Sequence, residues 1–300
     1  MRQRDITATE QMKKMLLCAF AAIALMACNE NTPVAPVVFD NGTLPGQFSV
    51  SNTTQIRFSQ GNLQYQASTK TWRFAENQWN YAGKANKKIS DIFAGWIDFF
   101  GWGTGNHPTD TETDYDLYFN WMEWGQNRIS NGGNKAGMWR TMTRAEWVHL
   151  LYERDQADKL CSAGKVAGVK GLILLPDAWV DITSEEGMPA IRTFHDVDFK
   201  GDYYTKAKED LFALNTFSVK EWRVLEQAGA VFLPASGSRL NPGAYDTENE
   251  NGSYWTTATY HDNVYEEGET AYFIFFGNSG VHDDKYSYRY YGRSVRLVRY

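Results

Sequence analysis

The fold is decided by two stretches near the end of the sequence, Gly252-Ser-Tyr-Trp-Thr-Thr257 and Gly292-Arg-Ser-Val-Arg-Leu-Val298. Both contain segments of strand character, 254–257 and 294–298, and in the second apolar and polar residues alternate with the two-residue period of a strand. Between them, Ala271-Tyr-Phe-Ile-Phe-Phe276 is apolar at nearly every position, which predicts a strand covered on both faces. Polar segments rich in Tyr, Asn, Asp, His, Ser and Gly separate these strands, and we predict that they are loops.

Two helices are predicted upstream by their capping sequences. Thr143 with Glu146, and Ser218 with Glu221, have the spacing of a capping box, in which each side chain accepts a hydrogen bond from the backbone of the other residue. Tryptophan and leucine follow each box at helical spacing. Gly229 marks the end of the second helix, because glycine readily adopts the left-handed conformation that terminates helices.

Short apolar or alternating runs predict the remaining strands. Each helix leads toward an apolar run closed by Leu-Pro, at 171–176 and 230–234, and four short strands are predicted earlier, at 48–50, 56–58, 63–65 and 72–74. Strands on both sides of two central helices predict an α+β fold, a mainly antiparallel sheet with two flanking helices and long loops. No linker-like stretch divides residues 46–300, so we expect a single domain there.

Three motifs resemble those of the formylglycine-generating-enzyme-like (sulfatase-modifying-factor) group. Trp139-Arg-Thr-Met-Thr-Arg-Ala-Glu-Trp147 is similar to that group's R-L-P-T-E-A-E-W segment, and the two C-terminal stretches are similar to its G-x-Y-W-S-S and G-x-S-V-R-L-V motifs. The same ending occurs in paralogous bacterial surface lipoproteins and in the variable proteins of diversity-generating retroelements. The resemblance implies a C-type-lectin-like fold. It also implies that Arg296 is a framework residue, paired with an acid or with backbone carbonyls.

The resemblance to formylglycine-generating enzymes implies a copper site built from paired cysteines near the C-terminus. Because no cysteine follows Cys161, the ligands for copper–thiolate chemistry are missing and this oxidase activity is not expected. The sequence also lacks G-x-S-x-G, P-loop and H-E-x-x-H motifs. We therefore predict no catalytic residues. An enzyme with an unrecognised cleft remains an alternative, because catalytic groups can converge from distant positions.

The beginning of the sequence has the features of a bacterial lipoprotein signal peptide. Lys13 and Lys14 precede an apolar run from 15 to 25, and Leu25-Met-Ala-Cys28 resembles a lipobox. We expect residues 1–28 to be the signal, with lipidation at Cys28, and residues 29–45, which contain three prolines, to be a tether. Acyl chains anchor a protein at a membrane surface, which predicts a cell-envelope location, at the outer membrane or cell surface.

Charge and cysteine content limit the partners and the redox chemistry. The net charge is −6 and no run of Lys or Arg occurs, so we exclude nucleic acid as a partner. After removal of Cys18 and lipidation of Cys28, only Cys161 stays in the folded domain, so we expect no internal disulfide. Stability must then come from burial, which a chain with 43% hydrophobic residues can supply.

Two acidic segments are candidates for a structural calcium site. Their carboxylates alternate along the chain, at Asp110, Glu112, Asp114 and Asp116, and at Asp246, Glu248 and Glu250. Hard oxygen ligands with such spacing can surround Ca²⁺. The alternative is a solvated acidic loop, because neither segment matches the twelve-residue EF-hand pattern. We predict no cofactor and no dedicated metal ligand.

A polar and aromatic surface is predicted near the C-terminus. Its residues are Tyr260, His261, Asp262, Asn263, Tyr265, Asn278, Ser279, His282, Asp283, Asp284, Tyr286 and Tyr288. Tyrosine provides contact area at a low entropic penalty, while Asn, Ser and Asp add adaptable hydrogen bonds, as in antibody paratopes. The resemblance adds that these loops carry the diversified residues of retroelement variable proteins. We interpret the tryptophans between 96 and 139 as structural anchors.

These observations predict a lipid-anchored cell-envelope protein that binds an external protein or glycan through its C-terminal loops. Besides the enzyme, a second alternative is a structural subunit of an envelope complex, in which the same loops are buried against a fixed partner.

Overall fold

The computed structural model describes residues 37–180, 190–196, 210–241 and 244–300. The signal sequence, the lipidation candidate Cys28 and residues 29–36 of the expected tether lie outside these ranges. Among the described residues, no helix is both long enough and apolar enough to cross a bilayer. The chain joins the core earlier than expected: Leu44 is fully buried, and its N–H donates to the carbonyl of Phe58 at 2.9 Å. The end of the expected tether is therefore packed structure.

Most of the described chain is built from short strands. They are β1 (Phe48–Ser49), β2 (Gln55–Phe58), β3 (Leu63–Gln66), β4 (Thr71–Phe74), β5 (Cys161–Val166), β6 (Val169–Leu174), β7 (Thr216–Phe217), β8 (Val231–Pro234), β9 (Ser238–Asn241), β10 (Ala244–Asp246), β11 (Gly252–Tyr260), β12 (Thr270–Gly277), β13 (Gly280–Tyr288) and β14 (Val298–Arg299). Only the β5–β7 pair is parallel among the described strand pairs, so the α+β expectation with a mainly antiparallel sheet is confirmed.

The strands form small sheets rather than one large one. β7-β5-β6-β8 has four strands, β11-β12-β13 and β1-β2-β14 have three each, and β3-β4 and β9-β10 are hairpins; β1-β2-β14 joins the first and last strands. The four-stranded sheet lies between two hydrophobic clusters, because alternate residues such as Leu172 and Ile173 point to opposite faces. β11 and β12 likewise contribute to two clusters, with Tyr254 in one and Trp255 in the other.

Both predicted capping boxes are present. α1 (Arg144–Val148) begins after Thr143, continues as a π-helical turn (His149–Glu153), and buries Trp147. α2 (Val219–Gln227) begins after Ser218, and Gly229 follows it with a φ of +102°. Short 3₁₀ helices lie in the connections, at Asp40–Gly42, Ala67–Thr69, Gly83–Lys88, Tyr115–Tyr118, Trp124–Gln126, Ala157–Lys159, Phe194–Asp196 and Leu211–Ala213.

The three motifs that carry the family resemblance contact one another. Arg140 and Val298 exchange backbone hydrogen bonds of 2.9 Å, and the N–H of Trp255 donates to Ser294 at 3.1 Å. The N–H of Thr257 donates to Met142 at 3.2 Å, which completes the contact among the three segments. The motifs therefore form one framework at the centre of the molecule.

Three expectations about strands were wrong or incomplete. Residues 294–297 are not a strand: they form an isolated bridge to Tyr254 and an extended connection, and only Val298–Arg299 pairs regularly, with β2. The segment 280–288, expected as a loop, is strand β13, because its backbone pairs along β12 while polar side chains occupy its solvent side. β5, β7, β9 and β10 were not predicted; in β5 the alternation is hidden by small residues.

Arg296 is buried as expected for a framework residue, but its partners differ from the expected acid or backbone carbonyls. Its Nη2 donates to Gln78 Oε1 at 2.9 Å and its Nη1 to Asn62 Oδ1 at 3.5 Å. Burial lowers the pKa of Arg296 to about 10, so it is charged at neutral pH. Gln78 also donates to the buried carboxylate of Glu226 at 3.0 Å, so the arginine reaches an acid only through an amide.

Candidate functional site

The register of the C-terminal sheet places tyrosines on its outer face. Tyr272 of β12 lies opposite Tyr286 of β13, and Tyr288 lies two residues further along β13 on the same face. The neighbouring residues Ala271 and Phe273 point inward and are buried in a hydrophobic cluster. The first half of β12 therefore buries one face and presents Tyr272 on the other, while Ile274 and Phe276 further along are buried in a second cluster.

These rings belong to a continuous group that we call the tyrosine cluster. Its members are Tyr115, Tyr260, Tyr265, Tyr272, Tyr286, Tyr288, Tyr290 and Tyr291. Tyr260 and Tyr286 stack with ring centroids 3.7 Å apart, and Tyr288 and Tyr290 stack at 5.2 Å. Tyr265 joins the two stacks through edge contacts with Tyr286 and Tyr288. Ring-to-ring contact preorganises the face, because each side chain limits the rotamers of its neighbours.

Exposure differs along the cluster. Tyr286 is 37% exposed, whereas Tyr290 is buried and anchors the others to the core. The remaining members are half-buried. Burial raises the pKa of Tyr290 to about 12, and a hydrogen bond to Asp262 followed by one to Tyr286 raises the pKa of Tyr260. These hydroxyls are therefore uncharged at neutral pH and can both donate and accept hydrogen bonds.

The loop 260–265 is held closed by Asp262. Its carboxylate accepts hydrogen bonds from the hydroxyl of Tyr260 at 2.6 Å and from the N–H groups of Val264 and Tyr265 at 2.7 and 2.9 Å. The bond from Tyr260 is the main reason that the pKa of Asp262 is lowered. His261 and Asn263 are exposed on the same loop. Asp262 thus positions the loop, and the exposed residues beside it are free to face a ligand.

The acidic residues of β13 are engaged with neighbouring cations. Asp283 accepts a 2.6 Å hydrogen bond from Arg144, the first residue of α1, whose guanidinium lies over the ring of Tyr272 at 4.5 Å. Asp284 is paired with Lys285 at 3.3 Å. Asp283 therefore connects α1 to the sheet, and it stabilises the scaffold at the edge of the tyrosine cluster.

The other three predicted site residues lie at the β12–β13 turn. Asn278 Oδ1 accepts the N–H of Leu211 at 2.8 Å, and Ser279 Oγ lies 3.3 Å from Nε2 of His282. His282 is 8% exposed and packs against Phe275, and burial lowers its pKa. This turn is at the opposite end of β13 from Tyr288. The predicted residues thus separate into a tyrosine-rich group and a turn group.

The chain matches no protein-family model, no curated protein and no solved structure with which it was compared. The function must therefore be argued from the chemistry of the site, because side chains rather than the fold determine what a surface binds. The tyrosine cluster is the largest group of partly exposed aromatic rings in mutual contact within the described part of the chain.

Four members of the tyrosine cluster were not predicted from the sequence. Tyr272 lies in a strand expected to be covered on both faces, and Tyr290 and Tyr291 follow the segment expected as a loop. Tyr115 comes from a 3₁₀ helix far away in sequence and contacts Tyr288 at 5.9 Å and Tyr290 at 5.7 Å. The recurrence of tyrosine at every second residue from Tyr286 to Tyr290 was the one sequence signal that these rings share a face. No local sequence feature indicated Tyr115.

The two acidic segments were candidates for a structural calcium site; among the described residues, no group of three or more His, Cys, Asp or Glu side chains is close enough to hold a metal ion. Asp114 instead caps the 3₁₀ helix that presents Tyr115, accepting the N–H of Asp116 at 3.1 Å. The side chain of Asp246 lies outside the described part. The first acidic segment thus serves to position a member of the tyrosine cluster.

The tryptophans of the middle segment are mostly packing residues. Trp102, Trp124 and Trp139 are each at most 3% exposed. Trp96 is half-buried, and the guanidinium of Arg73 covers its ring at 3.8 Å. A ring covered in this way does not offer that face to a sugar.

Proposed function

We propose that this chain is a lipid-anchored cell-envelope binding protein whose tyrosine cluster captures an external protein or glycan ligand. The observation that carries the proposal is the row of mutually packed, partly exposed tyrosines on the outer face of the β11-β12-β13 sheet. Binding surfaces are enriched in tyrosine, because a large amphipathic ring buries much area while losing only two torsional freedoms. The sheet beneath keeps the rings in place before a ligand arrives.

Support for the wider proposal comes from the sequence motifs. A C-type-lectin-like fold is consistent with the mutual contact of the 139–147, 252–257 and 292–298 segments, which are those that carry the family resemblance. Lipidation at Cys28 and placement at the outer membrane or cell surface rest on the lipobox resemblance. On this proposal the anchor holds the domain at the membrane while the tyrosine cluster faces the ligand.

The test replaces two rings of the cluster. Tyr265→Ser with Tyr286→Ser removes a joining ring and the most exposed ring. The matched control is Tyr152→Ser with Tyr300→Ser, which alters two exposed tyrosines outside the cluster; the hydroxyl of Tyr152 donates to Val281, at the opposite end of β13 from Tyr288. Ligands captured by the wild type from glycan arrays and extracellular protein panels should bind the first variant at least about tenfold more weakly, since truncation of a central tyrosine costs 1–2 kcal/mol or more. The control should bind normally.

Both variants should keep the near-ultraviolet circular dichroism and cooperative melting of a folded domain. If the ligands bind the cluster variant as tightly as the wild type, the site lies elsewhere and the proposal is wrong. If the face is instead covered by a tightly bound subunit of an envelope complex, that subunit will co-purify with the wild type and be lost with the cluster variant.

A further inference from the structure

The segment between Tyr265 and the start of β12 contains three glutamates. Glu266 and Glu267 are exposed, and Glu269 is half-buried with its carboxylate accepting the N–H of Glu266 at 3.0 Å. The pKa of Tyr265 is raised by desolvation, then by its tyrosine neighbours and by the charges of Asp262 and Glu269. Negative charge therefore surrounds this end of the tyrosine cluster.

A second group of carboxylates reaches the cluster from the segment that presents Tyr115. Glu112, Asp114 and Asp116 are exposed within a few residues of that ring. The Glu269 carboxylate also contributes to the raised pKa of Tyr115, after burial and Tyr288, so the ring of Tyr115 lies near Glu269 as well as next to this second group in the chain. We call these six side chains, with Asp262, the acidic rim: Glu112, Asp114, Asp116, Asp262, Glu266, Glu267 and Glu269.

Positive charge is scarce around the rim. Neither the sequence from 89 to 127 nor that from 240 to 284 contains a lysine or an arginine. The cations that follow are engaged: Lys285 with Asp284, and Arg289, which is buried and donates to the carbonyls of Tyr118 and Thr270 at 3.2 Å. The charge of Glu267 partly offsets the lowering of the Arg289 pKa by burial. Arg293 is buried over Phe273, and His261 is exposed. The face is therefore aromatic at its centre and anionic at its edge.

The molecule already contains one example of the chemistry such a face favours. The guanidinium carbon of Arg144 lies over the ring of Tyr272, 4.5 Å from its centroid, while the Nη2 of Arg144 donates to Asp283 at 2.6 Å. A guanidinium is weakly hydrated and planar, so it can stack on a ring and bond a carboxylate at the same time, which an ammonium does less well.

We propose that the ligand of the tyrosine cluster is an arginine-rich polypeptide segment, with guanidinium groups against the rings and paired with the acidic rim. This inference rests on the proposed function and specifies its ligand. A polypeptide fits better than a small polyamine, because exposed apolar residues adjoin the rings: Phe119 lies against Gly268 and is 55% exposed, and Val264 is 77% exposed. Opposite charges across the interface would guide the encounter and select the partner.

The experiment measures binding of fluorescent nona-arginine to the full protein by polarisation, at about 50 mM and about 500 mM salt. Glu266→Gln with Glu267→Gln should weaken binding roughly three- to tenfold at low salt, as expected for the loss of two exposed charge pairs. Asp40→Asn with Asp155→Asn removes the same charge from two exposed sites outside the cluster and should leave the affinity unchanged. Nona-lysine should bind more weakly than nona-arginine.

The tyrosine variant separates this inference from the proposed function. Tyr265→Ser with Tyr286→Ser should weaken nona-arginine binding at both salt concentrations, because stacking is not screened by salt. The inference is overturned if the acidic-rim variant binds as well as the wild type, or if the charge-matched control loses as much affinity. If nona-arginine does not bind while a glycan or a neutral protein is captured in a tyrosine-dependent manner, the ligand class is wrong and the proposed function stands. If the tyrosine variant changes no binding at all, both fail.

Discussion

At the scale of single residues, Asp98 is a buried carboxylic acid that makes the stability of the core depend on pH. Its side chain is fully buried, and its carboxylate accepts hydrogen bonds from the N–H of Ala82 at 2.6 Å and from Asn86 Nδ2 at 2.8 Å. Burial outweighs these bonds and raises its pKa from 3.8 to about 6. The folded protein therefore holds this proton more tightly than the unfolded chain does.

The raised pKa of Asp98 determines how the stability of the folded protein changes with pH. Because the pKa of Asp98 is raised by folding, its contribution to stability is greatest below about pH 4, falls as the pH rises toward 6, and stays constant above that value. In Asp98→Asn this titration is absent. The unfolding free energy of the wild type minus that of Asp98→Asn should fall by on the order of 2–3 kcal/mol between pH 4 and pH 7.

Urea denaturation at several pH values measures this difference, with Asp40→Asn as an exposed control that should show no such trend. In Asp98→Asn, an NH₂ group replaces one of the two oxygens that accept hydrogen bonds from Ala82 and Asn86. The variant should therefore be less stable than the wild type at low pH. A wild-type–variant difference that is independent of pH would show that Asp98 has an ordinary pKa in the folded protein.

At the scale of elements, the two capping boxes look alike in sequence and differ in the structure. Glu146 accepts the N–H of Thr143 at 2.8 Å and is also bonded by both terminal nitrogens of Arg140, at 2.8 and 2.7 Å. Those bonds outweigh burial, so the pKa of Glu146 is lowered. Glu221 accepts the N–H of Ser218 at 2.7 Å and receives no arginine within the described residues.

Glu146→Gln should therefore destabilise the protein by about 1–2 kcal/mol, because it removes charge-assisted bonds from Arg140, whose backbone pairs with Val298. Glu221→Gln should lower stability by less than about 0.5 kcal/mol, since an amide oxygen can still accept the backbone N–H. Thermal and urea unfolding of the two variants provide the comparison. Equal losses would mean that the bonds from Arg140 add nothing measurable.

The elements that could be predicted are those whose signals are local. A capping box and a helix-ending glycine act within one turn, so α1 and α2 were found near their observed positions. β13 was missed because its polar residues, such as Asp284 and Tyr286, resemble a loop when the pairing with β12 is unknown. The 294–297 segment alternates as a strand does, yet its neighbours are single bridges to separate parts of the chain.

The candidate site likewise contains residues that could be predicted from local sequence and residues that could not. Tyr286 and Tyr288 were predicted because they lie in a tyrosine-rich segment, whereas Tyr115 joins them only through the tertiary fold. Composition also grouped His282 with the binding residues, although it is buried beside Phe275. Residue types could indicate the chemistry of the surface, but only strand register could show which side chains share a face.

At the scale of the whole molecule, the framework and the proposed binding face are built from the same sheet. The inner face of β11 and β12 supplies Trp255 and Phe273 to the core, while the outer face presents Tyr272 beside Tyr286. β14 pairs with β2, so a strand near each end of the described chain is paired with the other. This arrangement allows the rings to change without loss of the core.

The number of reactive thiols tests whether the signal sequence is removed and Cys28 is lipidated as proposed. Cys161 is buried and without a disulfide, and burial raises its pKa to about 12, so it should resist thiol reagents in the folded protein. If the signal containing Cys18 is removed and Cys28 is lipidated, the mature protein should show no reactive thiol when native. It should show one thiol when denatured.

Cys28→Ala should leave the protein uncleaved or move it out of the detergent-soluble membrane fraction, because the acyl chains supply the membrane affinity. Cys18→Ala is the matched control: it changes a cysteine of the same segment that lacks the Leu-Met-Ala context, so membrane partitioning should stay normal. Fractionation and intact-mass measurement distinguish the outcomes. A Cys28→Ala protein that is cleaved and still partitions with the membrane, or a mature wild-type mass without acyl chains, would disprove the anchor. Neither result would bear on ligand capture by the tyrosine cluster, which depends on the folded domain alone.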